Sequence, residues 1–236
     1  MIKEYTFQGI HGVMYTPDMN QKYPCIIFAH GYGGCYKDLE HYGPKLNEAN
    51  IACFLFDFCG GGLSSTSKGS MWDMSVLTEL EDFEIVYENI RSLEYINQII
   101  CMGESQGGYV ATLFAHYHPE IDGLICWYPA YVIDHDCKER AKIGYKDKNY
   151  VWGTPMGRKY IEDALKVNIF SKMDYPKKVL IIHGDQDEIA PIEDSKKAIT
   201  MFPNAKLYIV KDGRHGFEGN QRWEVIHQCI EYVREL

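Results

Sequence analysis

The chain reads as an α/β protein with a mostly parallel central sheet and helices on both faces. Six short runs, Cys25 to Ala29, Ala52 to Asp57, Ile99 to Gly103, Gly123 to Tyr128, Val179 to His183 and Leu207 to Val210, are almost wholly apolar, as strands covered on both sides must be. Between them lie helical patterns over Asp38 to Ala49, Met74 to Ile90, Ser105 to His118, Ile192 to Met201 and Asn220 to Glu235. Alternation of this kind predicts parallel strands joined by crossover helices.

The order of elements supports a single domain over 1–236. Lys3 to Gln8 and Val13 to Tyr15 alternate in polarity around Gly9 and Gly12, which predicts an opening hairpin. One connection breaks the rhythm. From Ala130 to about Lys177 the chain runs far beyond a usual crossover, with scattered aromatics and no clean periodicity until about Lys159. An excursion after a strand's C-terminal end falls where open α/β sheets bind ligands, so a cap or lid inserted at about 130–177 is expected.

Composition narrows the partners. A length of 236 residues allows one well-buried core and is short for two ordinary domains. The formal charge of −9, without a Lys/Arg cluster interleaved with aromatics, argues against nucleic acid. Met1 to Phe7 alternates like a strand and lacks the apolar core of a signal peptide, and nothing reaches membrane-spanning length. No membrane partner is therefore expected. The eight cysteines mostly sit inside apolar runs such as Cys25 to Phe28, and no pair has C-x-x-C spacing. They read as small buried hydrophobes in a cytoplasmic protein. The oligomeric state stays open, a homodimer included.

Chemistry concentrates in three stretches. Gly103-Glu104-Ser105-Gln106-Gly107 reads G-x-S-x-G between an apolar run and a helical pattern. That is the context of a nucleophile elbow, in which a strained strand-to-helix turn lifts the serine clear. A serine hydroxyl needs a base, and the base needs a partner that fixes its tautomer. His183-Gly184-Asp185-Gln186-Asp187-Glu188 and Gly213-Arg214-His215-Gly216-Phe217 each follow a predicted strand. The resulting order is serine, acid, histidine, and all three fall at C-terminal strand ends, where they can meet.

Asp185, Asp187 and Glu188 are all available to the base. Asp187 is preferred, because Asp185 lies closer to the strand end and is expected to shape the turn, while Glu188 can be solvated. Against His215 stand His183 and the pair His116 and His118, which lie near a helix end and are expected to meet its carbonyls. His30-Gly31-Tyr32-Gly33-Gly34 follows another strand. Its Tyr32 N–H and the Gln106 N–H are the expected donors to an oxyanion, with His30 a packing or hydrogen-bonding residue beneath. Asp57-Phe58-Cys59-Gly60-Gly61-Gly62 lacks a dinucleotide fingerprint, and no P-loop or metal-ligand spacing appears.

Together these motifs resemble the bacterial α/β-hydrolase superfamily, and within it the feruloyl (cinnamoyl) esterases of gut bacteria. The similarity covers almost the whole chain and is strongest from Lys177 to Phe217. It implies an α/β-hydrolase fold, Ser105 as nucleophile, His215 as base, Asp187 as acid, Tyr32 and Gln106 amides as oxyanion hole, and a small subdomain after Pro129. Two departures bear on substrate. Glu104 stands where those esterases usually carry histidine, and their D-x-x-G-H-G-x-S loop appears as Asp57 to Ser64. In the inserted segment, Asp136 and Tyr160 lie roughly where the family contacts a phenolic ring. An aromatic acyl group could stack among Tyr131, Trp152 and Tyr160, or these rings form the cap's own core.

The expected activity is a carboxylic ester hydrolase acting through an acyl-enzyme on a small-molecule ester, hydroxycinnamoyl or another small acyl ester, with no metal or organic cofactor. The rivals are a serine peptidase of the aminopeptidase branch and a non-catalytic receptor on the same fold.

Overall fold

The architecture is that of a computed structural model, which describes residues 1–18 and 20–236. Strands β1 (Ile2–Phe7) and β2 (Ile10–Tyr15) form the expected hairpin, turning at Gln8 and Gly9, both with positive φ. That geometry matches the right-handed twist of paired strands. Six parallel strands follow: β3 (Tyr23–Ala29), β4 (Ala52–Phe56), β5 (Ile96–Glu104), β6 (Gly123–Trp127), β9 (Val179–Gly184) and β10 (Ala205–Val210). With the hairpin they make one eight-stranded sheet in the order β1-β2-β4-β3-β5-β6-β9-β10. The β1–β2 and β2–β4 pairs are antiparallel and the five others are parallel.

Two hydrophobic clusters explain the apolar runs. Cys25, Ile27 and Ala29 of β3 point to one face, and Ile26 and Phe28 to the other. The inner strands β3, β4, β6 and β9 are thus buried on both faces, whereas the edge strands β1 and β10 are largely exposed or half-buried. The first face carries α3 (Val76–Arg91) and α4 (Gln106–Tyr117), whose Phe83, Val86, Val110 and Phe114 join the larger cluster. The second is covered by α1 (Tyr36–Leu39), α2 (Gly43–Glu48) and α8 (Asn220–Arg234). Seven of the eight cysteines are buried and all are free thiols; Cys59 is partly exposed. No helix among the described residues is long and apolar enough to cross a membrane.

Two expectations change. The helix expected over Asp38 to Ala49 is broken into α1, a 3-10 turn Glu40–Tyr42 and α2. Pro44 has no N–H to donate to the carbonyl four residues back, so an α-helix can start there but not pass through. The long connection between β6 and β9 is also more regular than its sequence suggests. It holds α5 (Ile133–Ile143), a separate hairpin of β7 (Lys148–Val151) and β8 (Thr154–Gly157), α6 (Arg158–Ala164) and a 3-10 turn Ile169–Lys172. Helix α5 escapes a periodicity reading because only Ile133, Asp134 and Cys137 of its residues are buried. Helix α7 (Ile192–Met201) links β9 to β10.

Helix α6 is anchored to the body by charge. Asp163 is buried, yet its carboxylate accepts hydrogen bonds from Lys159 and Lys166 at 2.6 Å each, and from Ser75 Oγ, the N-cap of α3, at 2.6 Å. Burial alone would raise its pKa, but these donors outweigh burial and hold it down to about 2. A depressed carboxyl stabilises the fold above its unfolded value and loses that contribution as pH falls toward the folded one. Both lysines are half-exposed, which weakens their share. Asp163→Asn is expected to cost about 1–2 kcal/mol at neutral pH, read as a lower urea midpoint. The deficit should shrink as pH falls from about 4 toward 2.

Candidate active site

Strand β5 ends and α4 begins at a single residue, Ser105, held at φ 51° and ψ −118°. An L-residue there carries strain of about 1–3 kcal/mol, so the surroundings must impose it. They do so through the backbone. The Ser105 N–H donates to Trp127 O at 2.9 Å, and its carbonyl accepts from Ala130 N at 2.9 Å and Tyr109 N at 3.2 Å. The flanking glycines are required by space: a Cβ at Gly103 would sit 2.1 Å from Gly107 O, and one at Gly107 2.5 Å from His30 O. The loop after β3 lies against the serine, since a Cβ on Gly31 would be 3.1 Å from Ser105 Cβ.

The loops after β9 and β10 bring Asp187 and His215 to that turn. His215 Nε2 lies 2.9 Å from Ser105 Oγ, and its Nδ1 lies 2.8 Å from Asp187 Oδ2. A carboxylate can only accept, so Nδ1 carries the hydrogen and Nε2 accepts from the serine hydroxyl. Asp187 Oδ1 accepts from the N–H groups of Ile189 (2.8 Å) and Ala190 (2.9 Å). His183, fully buried, places Nε2 3.2 Å from Asp187 Oδ2. Its Nε2 also lies 2.9 Å from Ala190 O, and its Nδ1 2.8 Å from Ser195 Oγ. Burial would raise the Asp187 pKa, but hydrogen bonds from His183 and His215, with the His215 charge, hold it well below the usual carboxylate range.

Several sequence expectations need correction. The turn after β9 is shaped by Asp187 through its bonds to Ile189 and Ala190, while the Asp185 side chain is exposed. His116 and His118 meet carboxylates instead of helix carbonyls: Asp174 at 2.6 Å for His116, Glu84 at 2.7 Å and Glu120 at 2.9 Å for His118. Tyr131 is buried, bonds Thr112 Oγ1 at 2.9 Å and packs on Phe170, so its ring is core and lines neither cavity beside Ser105. Glu188, by contrast, is solvated as expected, exposed beside Arg214 at 3.9 Å.

His30 lies beneath its loop: Nδ1 donates to Gly31 O at 2.8 Å and Nε2 accepts from Phe58 N at 3.2 Å. The glycine loop after β4 braces the loop after β3, since Gly33 N donates to Gly61 O at 2.9 Å. Asp57 ties that brace down by accepting from Tyr36 N, Thr66 N and Thr66 Oγ1. The Tyr32 and Gln106 N–H groups have no acceptor among the described residues.

Two cavities meet at Ser105. One, of about 110 Å³, lies under the β6–β9 connection and is walled by Tyr32, Val132, Ile133, Cys137, Met156 and Tyr160. Asp136, Arg140 and Trp152 also line it. Thus Asp136, Trp152 and Tyr160 all face this space. Trp152 is 74% exposed at the tip of the β7–β8 hairpin, whereas Tyr160 is buried and donates its hydroxyl to Gln106 Oε1 at 2.5 Å. The other cavity, of about 360 Å³, is more open and polar, with Asp38, His41, Glu104, Tyr128 and Arg222 around it. There Tyr128 donates to Glu104 Oε2 at 2.5 Å, and its ring lies 4.7 Å from that of His215. Burial pushes the Glu104 carboxyl up, against the Tyr128 hydroxyl and Gly31 amide that favour its charge. Sequence reading left the Tyr128 contact and the role of His183 out. His183 stood in view as a rival base; Tyr128 gave no signal, because its partner Glu104 ends a different strand, β5, and meets it only once the strands pair.

A parallel sheet with a strained serine turn at its edge, facing a histidine and an acid from later strands, defines an α/β hydrolase. Residues 21–172 match the family described as serine aminopeptidase, S33, and the chain belongs to that family. It is similar to Est1E from Butyrivibrio proteoclasticus with bound ferulic acid, at 26% identity over 99% of this chain and 98% of that one, with a TM-score of 0.88. A second Est1E structure gives 24% identity over 99% and 98%, with a TM-score of 0.84. The monoacylglycerol lipase of Paleococcus ferrophilus shares the fold at 16% identity over 98% of both chains, with a TM-score of 0.73. No curated protein matches the chain.

The elbow has no slack for a side chain at Gly107. Gly107→Ala drives a methyl into the carbonyls of Ala29 and His30 where β3 ends and is expected to destabilise the protein by about 3 kcal/mol or more. Thermal denaturation should show a fall of about 6–12 °C for a chain this long.

Proposed function

We propose that this hydrolase cleaves carboxylic esters of small acids through an acyl-enzyme, with Ser105 as nucleophile, His215 as general base and Asp187 as its orienting acid. The observation that carries this reading is the unbroken relay from Asp187 Oδ2 through His215 to Ser105 Oγ, at 2.8 and 2.9 Å. Serine attacks the ester carbonyl while Nε2 takes its proton. The imidazolium is stabilised by Asp187 and returns the proton to the leaving alcohol. Water, activated by the same imidazole, then releases the acid. Negative charge on the tetrahedral oxygen falls to the Tyr32 and Gln106 amides, each worth about 3 kcal/mol of transition-state stabilisation. These steps draw on side chains, amides and water alone.

Residues 130–177 serve in this reading as a cap that shapes the acyl pocket. The slot under it is narrow and aromatic-walled, which suits a flat acyl group, and similarity to a structure with bound ferulic acid supports hydroxycinnamoyl esters as candidates. The family description favours a second reading, cleavage of aminoacyl amides. The two differ in the leaving group, so paired aminoacyl amide and ester substrates separate them.

Ser105→Ala is expected to lower kcat on p-nitrophenyl acetate by at least about 10⁴-fold and to abolish labelling by a fluorophosphonate. Wild-type-like turnover in the variant would contradict the assignment. A panel of acetyl, butyryl and feruloyl esters of one alcohol should show the highest kcat/KM for feruloyl. Preference for acetyl by orders of magnitude would remove the aromatic-acid reading while leaving the esterase intact.

A further inference from the structure

Both amides assigned to the oxyanion belong to residues whose side chains are held by one short segment, Thr154 to Ala164. Gln106 is buried, and its amide is engaged at both ends: Oε1 accepts from Tyr160 of α6 at 2.5 Å, and Nε2 donates to Glu79 Oε2 of α3 at 2.7 Å. Tyr32 donates its hydroxyl to Pro155 O of β8 at 2.7 Å, and its ring meets that of Tyr160 edge-on at 5.7 Å. Glu79 is buried with no partner for Oε1. Burial raises its pKa well above the ordinary range, against the Gln106 amide that favours its charge, and its Oε2 ends the relay as an acceptor. The donors are thus clamped from the side chain outward.

We infer that Tyr160 is a positioning residue for the oxyanion hole, acting through Gln106 on the transition state, with Glu79 as the fixed end of the relay. This rests on the esterase reading above. The Tyr160 hydroxyl has one hydrogen, and Gln106 already receives it. The ring walls the acyl pocket, but the hydroxyl is committed to the residue that follows the nucleophile. Turning the Gln106 side chain tilts its own N–H, and a donor displaced from the developing charge loses its effect in the transition state more than in the ground state. Removing the hydroxyl therefore lowers kcat for every acyl group, including one too short to reach Tyr160.

Tyr160→Phe, assayed with p-nitrophenyl acetate, is expected to lower kcat about tenfold with KM changed less than about twofold. Inhibition by methylboronic acid should weaken by a similar factor, because its serine adduct sets an oxygen between the two amides. Unchanged kcat and boronate inhibition, with only KM for a feruloyl ester raised, would overturn the inference and make Tyr160 a substrate contact. Glu79→Leu cuts the relay at its other end and should give the same kcat and boronate losses. It decides the matter where Tyr160→Phe fails to fold. Glu79→Gln, which can still accept from Gln106, is expected to retain most activity, and a loss equal to that of Glu79→Leu would contradict Glu79 acting as the acceptor that fixes Gln106. Wild-type protein inert to both the acetate and a fluorophosphonate would instead sink the esterase reading itself.

Discussion

The close approach of three backbone segments at Gly103, Gly107 and His30 is the constraint on which the rest of this site depends. β5 and α4 touch each other and β3 at distances that no Cβ could occupy. Ser105 is thereby forced into a conformation it would not choose. The strain is local, but what maintains it is not, since Trp127 and Ala130 at the end of β6 hold both backbone groups of Ser105. Packing of a central sheet strand with its neighbours thus becomes the orientation of one hydroxyl.

Around that turn the protein buries polar groups that would be costly alone and are tolerable because each is met by another. Asp187 is fully enclosed, yet receives two backbone amides and two imidazoles. His183 is enclosed as well, with Ser195 at its far nitrogen. The chain from Ser195 through His183, Asp187 and His215 to Ser105 is continuous. Glu79 and His41 are exceptions, each with one buried atom unmet, and Glu79 lies at the end of the side-chain path that leads from α6 to Gln106.

The two spaces beside Ser105 differ in character because different layers build them. The narrow one is bounded by the β6–β9 connection and takes its walls from Val132, Ile133, Met156 and Tyr160. The wider one lies between the loops after β3, β5 and β10 and exposes Asp38, Glu104 and Arg222. The segment that forms the apolar wall also grips Tyr32 and Gln106, so pocket shape and amide placement are mechanically one unit. α6 can serve both because Asp163 ties it to α3 as well.

Much was legible in the linear chain, for a physical reason. Strands buried on both faces leave continuous apolar runs, and a strand-to-helix turn with no room for Cβ leaves paired glycines. The α/β class, the strand count of the parallel part, the elbow at Ser105 and the motif loops carrying Asp187, His215 and Tyr32 were readable from those imprints. Local chemistry also accounts for the misreadings. Pro44 marks a helix break within a stretch whose apolar spacing still suits one helix, and the polar helix α5 carries too few buried residues to show a period. Which side chains meet was decided by tertiary structure alone. The contacts of Tyr160 with Gln106, Tyr128 with Glu104 and His118 with Glu84 join residues from different elements. A one-dimensional pattern records how each segment faces the core and carries no record of which distant segment will face it.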